Sequence, residues 1–217
     1  MSQSPKPTRS GKPRKAGPRA TQTRRTREEL RAETLAAARE IILQDGPEAL
    51  TARRLAQAVG YTAGTIYNLF DSLPDVLWQV NRENFSRIAT LFKDLPGDDP
   101  AERLRALTVR YLDLVEAEPM LFRALFDGPR KSEKFPDWYM DAISTLLDGA
   151  AIELRALAPK LTREAAKSEA AAMFAAVQGI ASLRASGRLE LLTPVPAIDL
   201  ADRLITRVLR DASTQGG

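Results

Sequence analysis

From Glu28 onward the apolar positions recur every three or four residues rather than every two, the pattern of amphipathic helices and not of strands. Leu35, Ala38, Ile41 and Ile42 form the first stripe, which Gln44, Asp45, Gly46 and Pro47 end. Thr51 is placed as an N-cap before Leu55, Ala56 and Val59, and Gly60 stops that helix. Thr62 caps a third short helix through Phe70, with Ile66 and Phe70 facing inward. Ser72 and Asp75 have capping-box spacing and open a long helix carrying Trp78, Asn81, Phe85, Ile88 and Phe92 on one face. Asp99 and Pro100 repeat the start signal ahead of Leu104, Leu107, Tyr111, Leu114 and Val115. Pro119 to Phe126, Pro136 to about Leu157, Thr162 to near Gly187, and Ile198 to Leu209 complete about nine helices without a strand. The predicted fold is all-α, with an arm over 1–27, a three-helix unit over 28–72 and a larger helical bundle over 73–217.

Composition narrows the chemistry. The 217 residues include no cysteine and no histidine. Disulfides, thiol nucleophiles, the usual zinc sites and every Ser-His or Cys-His arrangement are therefore excluded. No paired-carboxylate or nucleophile-base motif stands out, so no enzyme, metal or cofactor is expected. The charge-free stretch from Ala170 to Leu183 is too short to span a bilayer, and the first residues lack the apolar segment of a secretory signal. A cytoplasmic protein is expected.

The net charge of +4 conceals an asymmetry. Residues 1–27 hold nine basic side chains (Lys6, Arg9, Lys12, Arg14, Lys15, Arg19, Arg24, Arg25, Arg27) and no acid. Such a block has too little apolar surface to fold alone and suits a nucleic-acid-binding arm.

Ala56, Gly60 and Ile66 have the spacing of a helix-turn-helix: a small residue for close packing, glycine at the turn, and a branched residue locking the second helix. In such a unit the start of the second helix reads base edges in the major groove. The longer string, with Gly46, Thr51, Leu55, Ala56, Gly60, Thr62, Gly64, Thr65, Ile66, Tyr67 and Phe70 in register, resembles the DNA-binding domain of TetR-family transcriptional regulators from about Thr26 to Phe92. Farther on, Phe174 to Leu183 is similar to the family subgroup with a Trp-x-x-x-His-Gly signature. Phe174 stands at the Trp and Gln178 at the His, so a ligand role for that His does not carry over.

The resemblance implies a role for each matched residue. Thr51 and Thr62 would offer hydroxyls and helix-start N–H groups to phosphate. Arg53 matches a base-contacting position, where a guanidinium can take guanine O6 and N7 together. Ala63, Gly64 and Thr65 would face the groove, Tyr67 would bind phosphate, and Asn68 could add a polar contact. One departure is electrostatic. Asp71, Ser72 and Leu73 occupy positions where the family usually has basic residues, and residues 28–72 carry four Arg against seven acids. Affinity is then expected to lean on the arm, with Arg24, Arg25 and Arg27 near enough to reach a minor groove.

For the bundle, the resemblance implies an effector site and a homodimer through the last two helices. Small residues at Ala165, Ala172, Ala176, Gly179 and Leu183, with Ile198, Leu204, Ile205 and Val208 on the last helix, are candidates for that contact. Trp78, Phe85, Tyr111, Phe122, Phe126, Trp138, Tyr139, Met173 and Phe174, with Gln178, are candidates for a pocket. The resulting expectation is a homodimeric, sequence-specific repressor, bound to a palindromic double-stranded operator and released by a small molecule. The alternative is a helical DNA-coating protein without ligand sensing.

Overall fold

The computed structural model describes residues 25–127 and 135–216, with side chains to Arg210. Among the described residues there are nine α-helices and no strand: α1 (Arg27–Asp45), α2 (Ala52–Val59), α3 (Ala63–Leu69), α4 (Leu73–Thr90), α5 (Pro100–Ala117), α6 (Pro119–Asp127), α7 (Asp137–Leu157), α8 (Arg163–Ala185) and α9 (Ala197–Gly216). Thr51, Thr62, Ser72, Asp99 and Thr162 each accept a hydrogen bond from a backbone N–H two or three residues on, as N-caps worth typically about 1 kcal/mol. Asp75 does not close a full box with Ser72. Its carboxylate instead accepts from the Asp71 N–H at 3.4 Å.

The start of α1 lies earlier than the hydrophobic pattern implies. Thr26 and Glu29 form a reciprocal capping box, with Glu29 N–H donating to Thr26 Oγ1 at 3.1 Å and Thr26 N–H to Glu29 Oε2 at 2.7 Å. Arg25 and Arg27 thus flank or begin a helix. A short 3-10 turn, Pro47–Ala49, leads toward α2, and another, Leu189–Leu191, follows α8.

Two apolar cores result. The smaller gathers Leu30, Ala38, Ile41 and Ile42 of α1 with Leu55, Ala56 and Ile66 of α2 and α3. The larger gathers Phe85 and Ile88 of α4, Leu104, Tyr111 and Leu112 of α5, Leu154 of α7, Val177 of α8 and Ile205 of α9. α4 and α6 serve both: Leu121 and Ala124 of α6 lie in the smaller core, Phe122 and Leu125 in the larger. Polar contacts cross the same junction. The Glu118 carboxylate, at the α5–α6 joint, accepts from Arg39 of α1 at 2.6 Å and from Arg87 of α4. Burial pushes the Glu118 carboxyl up, but hydrogen bonds and charge from Arg87 and Arg39 outweigh it and hold the group below the usual carboxylate range. Among the described residues no helix is long and apolar enough to cross a membrane, and no group of His, Cys, Asp or Glu side chains could hold a metal ion.

Candidate functional site

The α2–α3 unit is built by its turn. Gly60 adopts φ 76°, ψ 29°, the left-handed region that costs an L-residue roughly 1–2 kcal/mol. Its N–H donates to Gln57 O at 3.3 Å and the Tyr61 N–H to Ala56 O at 2.9 Å, the paired bonds of a Schellman stop. Thr62 then starts α3: its Oγ1 accepts from Thr65 N–H at 3.3 Å and lies 3.2 Å from Thr65 Oγ1. Ile66 and Phe70 are buried, which leaves the opposite side of α3 to solvent.

That outward side carries most of the candidate contacts. Thr51, Arg53, Thr62, Gly64, Tyr67 and Asn68 are exposed, while Ala63 and Thr65 are half-buried. Tyr67 is 54% exposed, far from any packing role. Thr51 Oγ1 already accepts from Arg54 N–H at 3.2 Å, so its cap leaves it the hydroxyl proton to offer a phosphate. Arg54 pairs with Asp45. Arg53 is exposed and has no ion-pair partner among the described residues.

The arm arginines are placed differently from what charge alone implies. Arg25 pairs with Glu33 at 2.8 Å, an exposed pair of little strength. Arg27 Nη2 donates to Asn68 O at 3.1 Å, so its reach is turned toward the end of α3; Arg24 lies outside the described residues. Arg31, absent from the candidates named above, donates to Leu69 O at 2.6 Å with its guanidinium 4.3 Å from the Phe70 ring centroid. Two cations therefore complement the carbonyl end of a helix that has no basic residue in its own last turn. The spacing Arg27–Arg31, one helical turn on one face of α1, is the signal that could have revealed this.

Arg53→Ala and Tyr67→Phe should separate reading from holding. If Arg53 makes a bidentate base contact, its loss is expected to cost roughly 1–3 kcal/mol and to relax preference at one base position. Tyr67→Phe is expected to weaken all sequences about equally, as loss of a phosphate contact does. Anisotropy titrations over an operator and its single-base variants compare the two; equal uniform losses would remove base reading from Arg53.

In the bundle a cavity of about 170 Å³ lies among α4, α5, α6, α7 and α8. Phe85, Tyr111, Phe126, Met173 and Phe174 line it, joined by Ile88, Phe92, Leu107, Thr108, Ile143, Leu146 and Leu147. Trp78, Phe122, Trp138, Tyr139 and Gln178 do not. Trp78 packs edge-on to Phe135 and Tyr139 at 5.5 and 5.2 Å, and Trp138 lies under the Arg82 guanidinium at 5.2 Å. Phe122 stands edge-on behind Tyr111 at 5.8 Å. Gln178 accepts the Tyr111 hydroxyl proton through Oε1, and burial pushes the Tyr111 phenol up, so it stays protonated. Aromatic bulk marks only part of the wall, much of which is aliphatic.

On α8, Ala172 and Gly179 are exposed and Ala176 and Leu183 half-buried. A Cβ at Gly179 would meet nothing within 4 Å. On α9, Leu204 and Val208 are half-buried against the larger core, and Ile205 turns fully inward at 1% exposure, away from any outer stripe.

Comparison with known proteins follows this division. Residues 35–73 match the family described as bacterial regulatory proteins, tetR family, and residues 104–208 match the tetracyclin repressor-like C-terminal domain. The chain is similar to the HTH-type transcriptional repressor KstR of Rhodococcus jostii (strain RHA1), with 27% identity over 120 residues, 55% of this chain and 57% of that protein. The chain thus spans little more than half the length of this curated relative. The fold resembles a tetR-family transcriptional regulator from Streptomyces coelicolor at TM-score 0.65 and 17% identity, covering 86% of this chain and 82% of that one. It also resembles RolR, solved in complex with resorcinol, at TM-score 0.60 and 15% identity, covering 88% and 94%.

Proposed function

The chain belongs to the tetR family of bacterial regulatory proteins, and from that premise we propose that it is a homodimeric repressor whose grip on a palindromic operator is released by a small effector. The observation that carries this reading is the position of α6. Phe126 of α6 lines the cavity, while Leu121 and Ala124 of the same helix lie in the core that supports α3. A molecule in the cavity therefore presses on a helix that the DNA-reading unit is packed against. In a dimer, shifting that helix would change the separation of two recognition helices that must match successive major grooves, about 34–36 Å apart. KstR's description as a transcriptional repressor and the resorcinol bound in RolR support the same direction.

Thr51, Arg53, Thr62, Ala63, Gly64, Thr65, Tyr67 and Asn68 are proposed to contact DNA, with Ala172, Ala176, Gly179 and Leu183 meeting a second copy. Footprinting on DNA selected from random sequence tests the whole reading. A two-fold symmetric footprint protected by a dimer is expected. Salt-dependent coating with no preferred sequence would support the DNA-coating alternative instead.

The basic segment adds a separate expectation. Because Thr26 and Arg27 belong to α1, the informative truncation removes residues 1–24, with seven of the nine basic side chains. It is expected to weaken operator binding and to flatten the slope of log K against log salt, as released phosphate contacts do. An unchanged slope would reduce the segment to a bystander.

A further inference from the structure

The cavity's wall specifies more than size. Among the described residues no charged side chain lines it, and the heteroatom-bearing side chains that do are those of Thr108, Tyr111 and Met173. The Thr108 hydroxyl already donates to Leu104 O at 2.9 Å, and the Tyr111 hydroxyl already donates to Gln178 Oε1. Both oxygens keep lone pairs but have no proton left to give, and the thioether of Met173 is an acceptor as well. Except at Leu91 and Phe92, just past α4, the backbone around the cavity is helical, so its N–H groups are committed along the helix axes. A guest here meets apolar surface and hydrogen-bond acceptors.

We propose that the cavity takes an electrically neutral, compact, mostly apolar molecule whose polar group is a hydrogen-bond donor, such as an alkyl-substituted phenol or alcohol, and that it rejects carboxylates and phosphates. This deepens the effector reading above and rests on it. An apolar cavity of about 150 Å³ holds a benzene ring, so 170 Å³ suits a ring with a short branch. A carboxylate would enter without a donor or a counter-charge, and burying an unpaired ion is among the costliest events in a protein interior. The wall at α7 is set back by Gly149, where an added Cβ would stand 2.8 Å from the Phe92 ring. Phe92 therefore rests on bare helix backbone instead of filling the space.

Titration calorimetry on the full chain at pH 7.5, with four probes of one skeleton, tests this. The probes are 4-isopropylphenol, 4-isopropylanisole, isopropylbenzene and 4-isopropylbenzoate. The phenol is expected to bind tightest. The ether and the hydrocarbon should bind about 3- to 10-fold more weakly, the worth of one neutral hydrogen bond. The benzoate should bind at least about 100-fold more weakly. In Thr108→Val/Tyr111→Phe the phenol should fall to the level of the hydrocarbon, whose own unchanged binding shows that the cavity is intact. Benzoate binding as tight as phenol, no binding by any probe, or a double variant that keeps the phenol's advantage would each overturn the inference. The effector reading is judged apart, by operator titration with and without the phenol. Binding as expected with unmoved operator affinity would sink that reading and leave the ligand class standing. Benzoate that binds tightly and frees the operator would do the reverse.

Discussion

Gly179→Leu is expected to give a folded chain that is monomeric by light scattering and has lost its operator. Within one subunit the substitution is expected to be tolerated, because the position is exposed and an added Cβ would meet nothing within 4 Å. Replacing a mid-helix glycine should even favour α8 by about 1 kcal/mol, the difference in helix propensity. Against a second copy the outcome reverses. If the small-residue face of α8 is the contact, a leucine there overpacks it by about 1–3 kcal/mol, and two-fold symmetry repeats the clash, making roughly 2–6 kcal/mol in all. A monomer engages a single half-site, so the operator titration should collapse while helical content and melting temperature hold or rise. A variant that stays dimeric and binds normally would move the contact to another face. An unfolded variant would contradict the open space around Gly179.

Glu118→Ala is expected to lower stability by roughly 1–3 kcal/mol at pH 7. The carboxylate is 18% exposed and its arginine partners 22% and 33%, so the triad lies between an exposed pair and a fully buried one. The loss has a specific source. Arg39 and Arg87 are both left facing the vacated site, and Arg39 Nε is already buried without a hydrogen-bond partner. The pH dependence carries a fixed sign. The folded-state pKa of Glu118 is depressed, so its stabilisation is fully present above the unfolded carboxyl value, about 4.3, and is lost as pH falls through the folded value. Urea melts should therefore show a constant gap between wild type and variant from pH 6 to 8, narrowing below about pH 4. A gap unchanged at low pH would mean that the charge of Glu118 is irrelevant. The same variant should blunt operator release by an effector, because the carboxylate joins α1 and α4 at the head of α6.

The parts of this molecule legible in its sequence are those determined by neighbouring residues. The caps at Thr51, Thr62, Ser72, Asp99 and Thr162 and the left-handed Gly60 each depend on a few adjacent positions, and each is found where the pattern places it. The Thr26–Glu29 box is equally local, but the basic run that ends at Arg27 hides it by grouping Thr26 and Arg27 with the arm. What periodicity cannot carry is which partner an inward face meets. Trp78 and Phe85 share one face of α4, yet Phe85 borders the cavity and Trp78 packs against Phe135 and Tyr139. Leu204 and Ile205 are adjacent in sequence, yet Ile205 is buried and Leu204 half-exposed, a difference set by how α9 is rotated against α8. The bonds from Arg27 and Arg31 to the end of α3 span about forty residues of chain, so the one-turn spacing of the two arginines marks a shared face of α1 but not the helix end it meets.

The nine residues of α6 have a consequence for how the protein comes apart. Leu121 and Ala124 are wholly buried in one core, and Phe122 and Leu125 nearly so in the other. Neither core can lose this helix without opening the second. A helix this short is not stable in isolation, so it is either docked in both places or gone from both. The two cores are therefore separate in composition but share α6, and their unfolding is expected to be one event. Whatever strengthens the bundle's grip on α6 is felt as added stability in the helices that face the DNA.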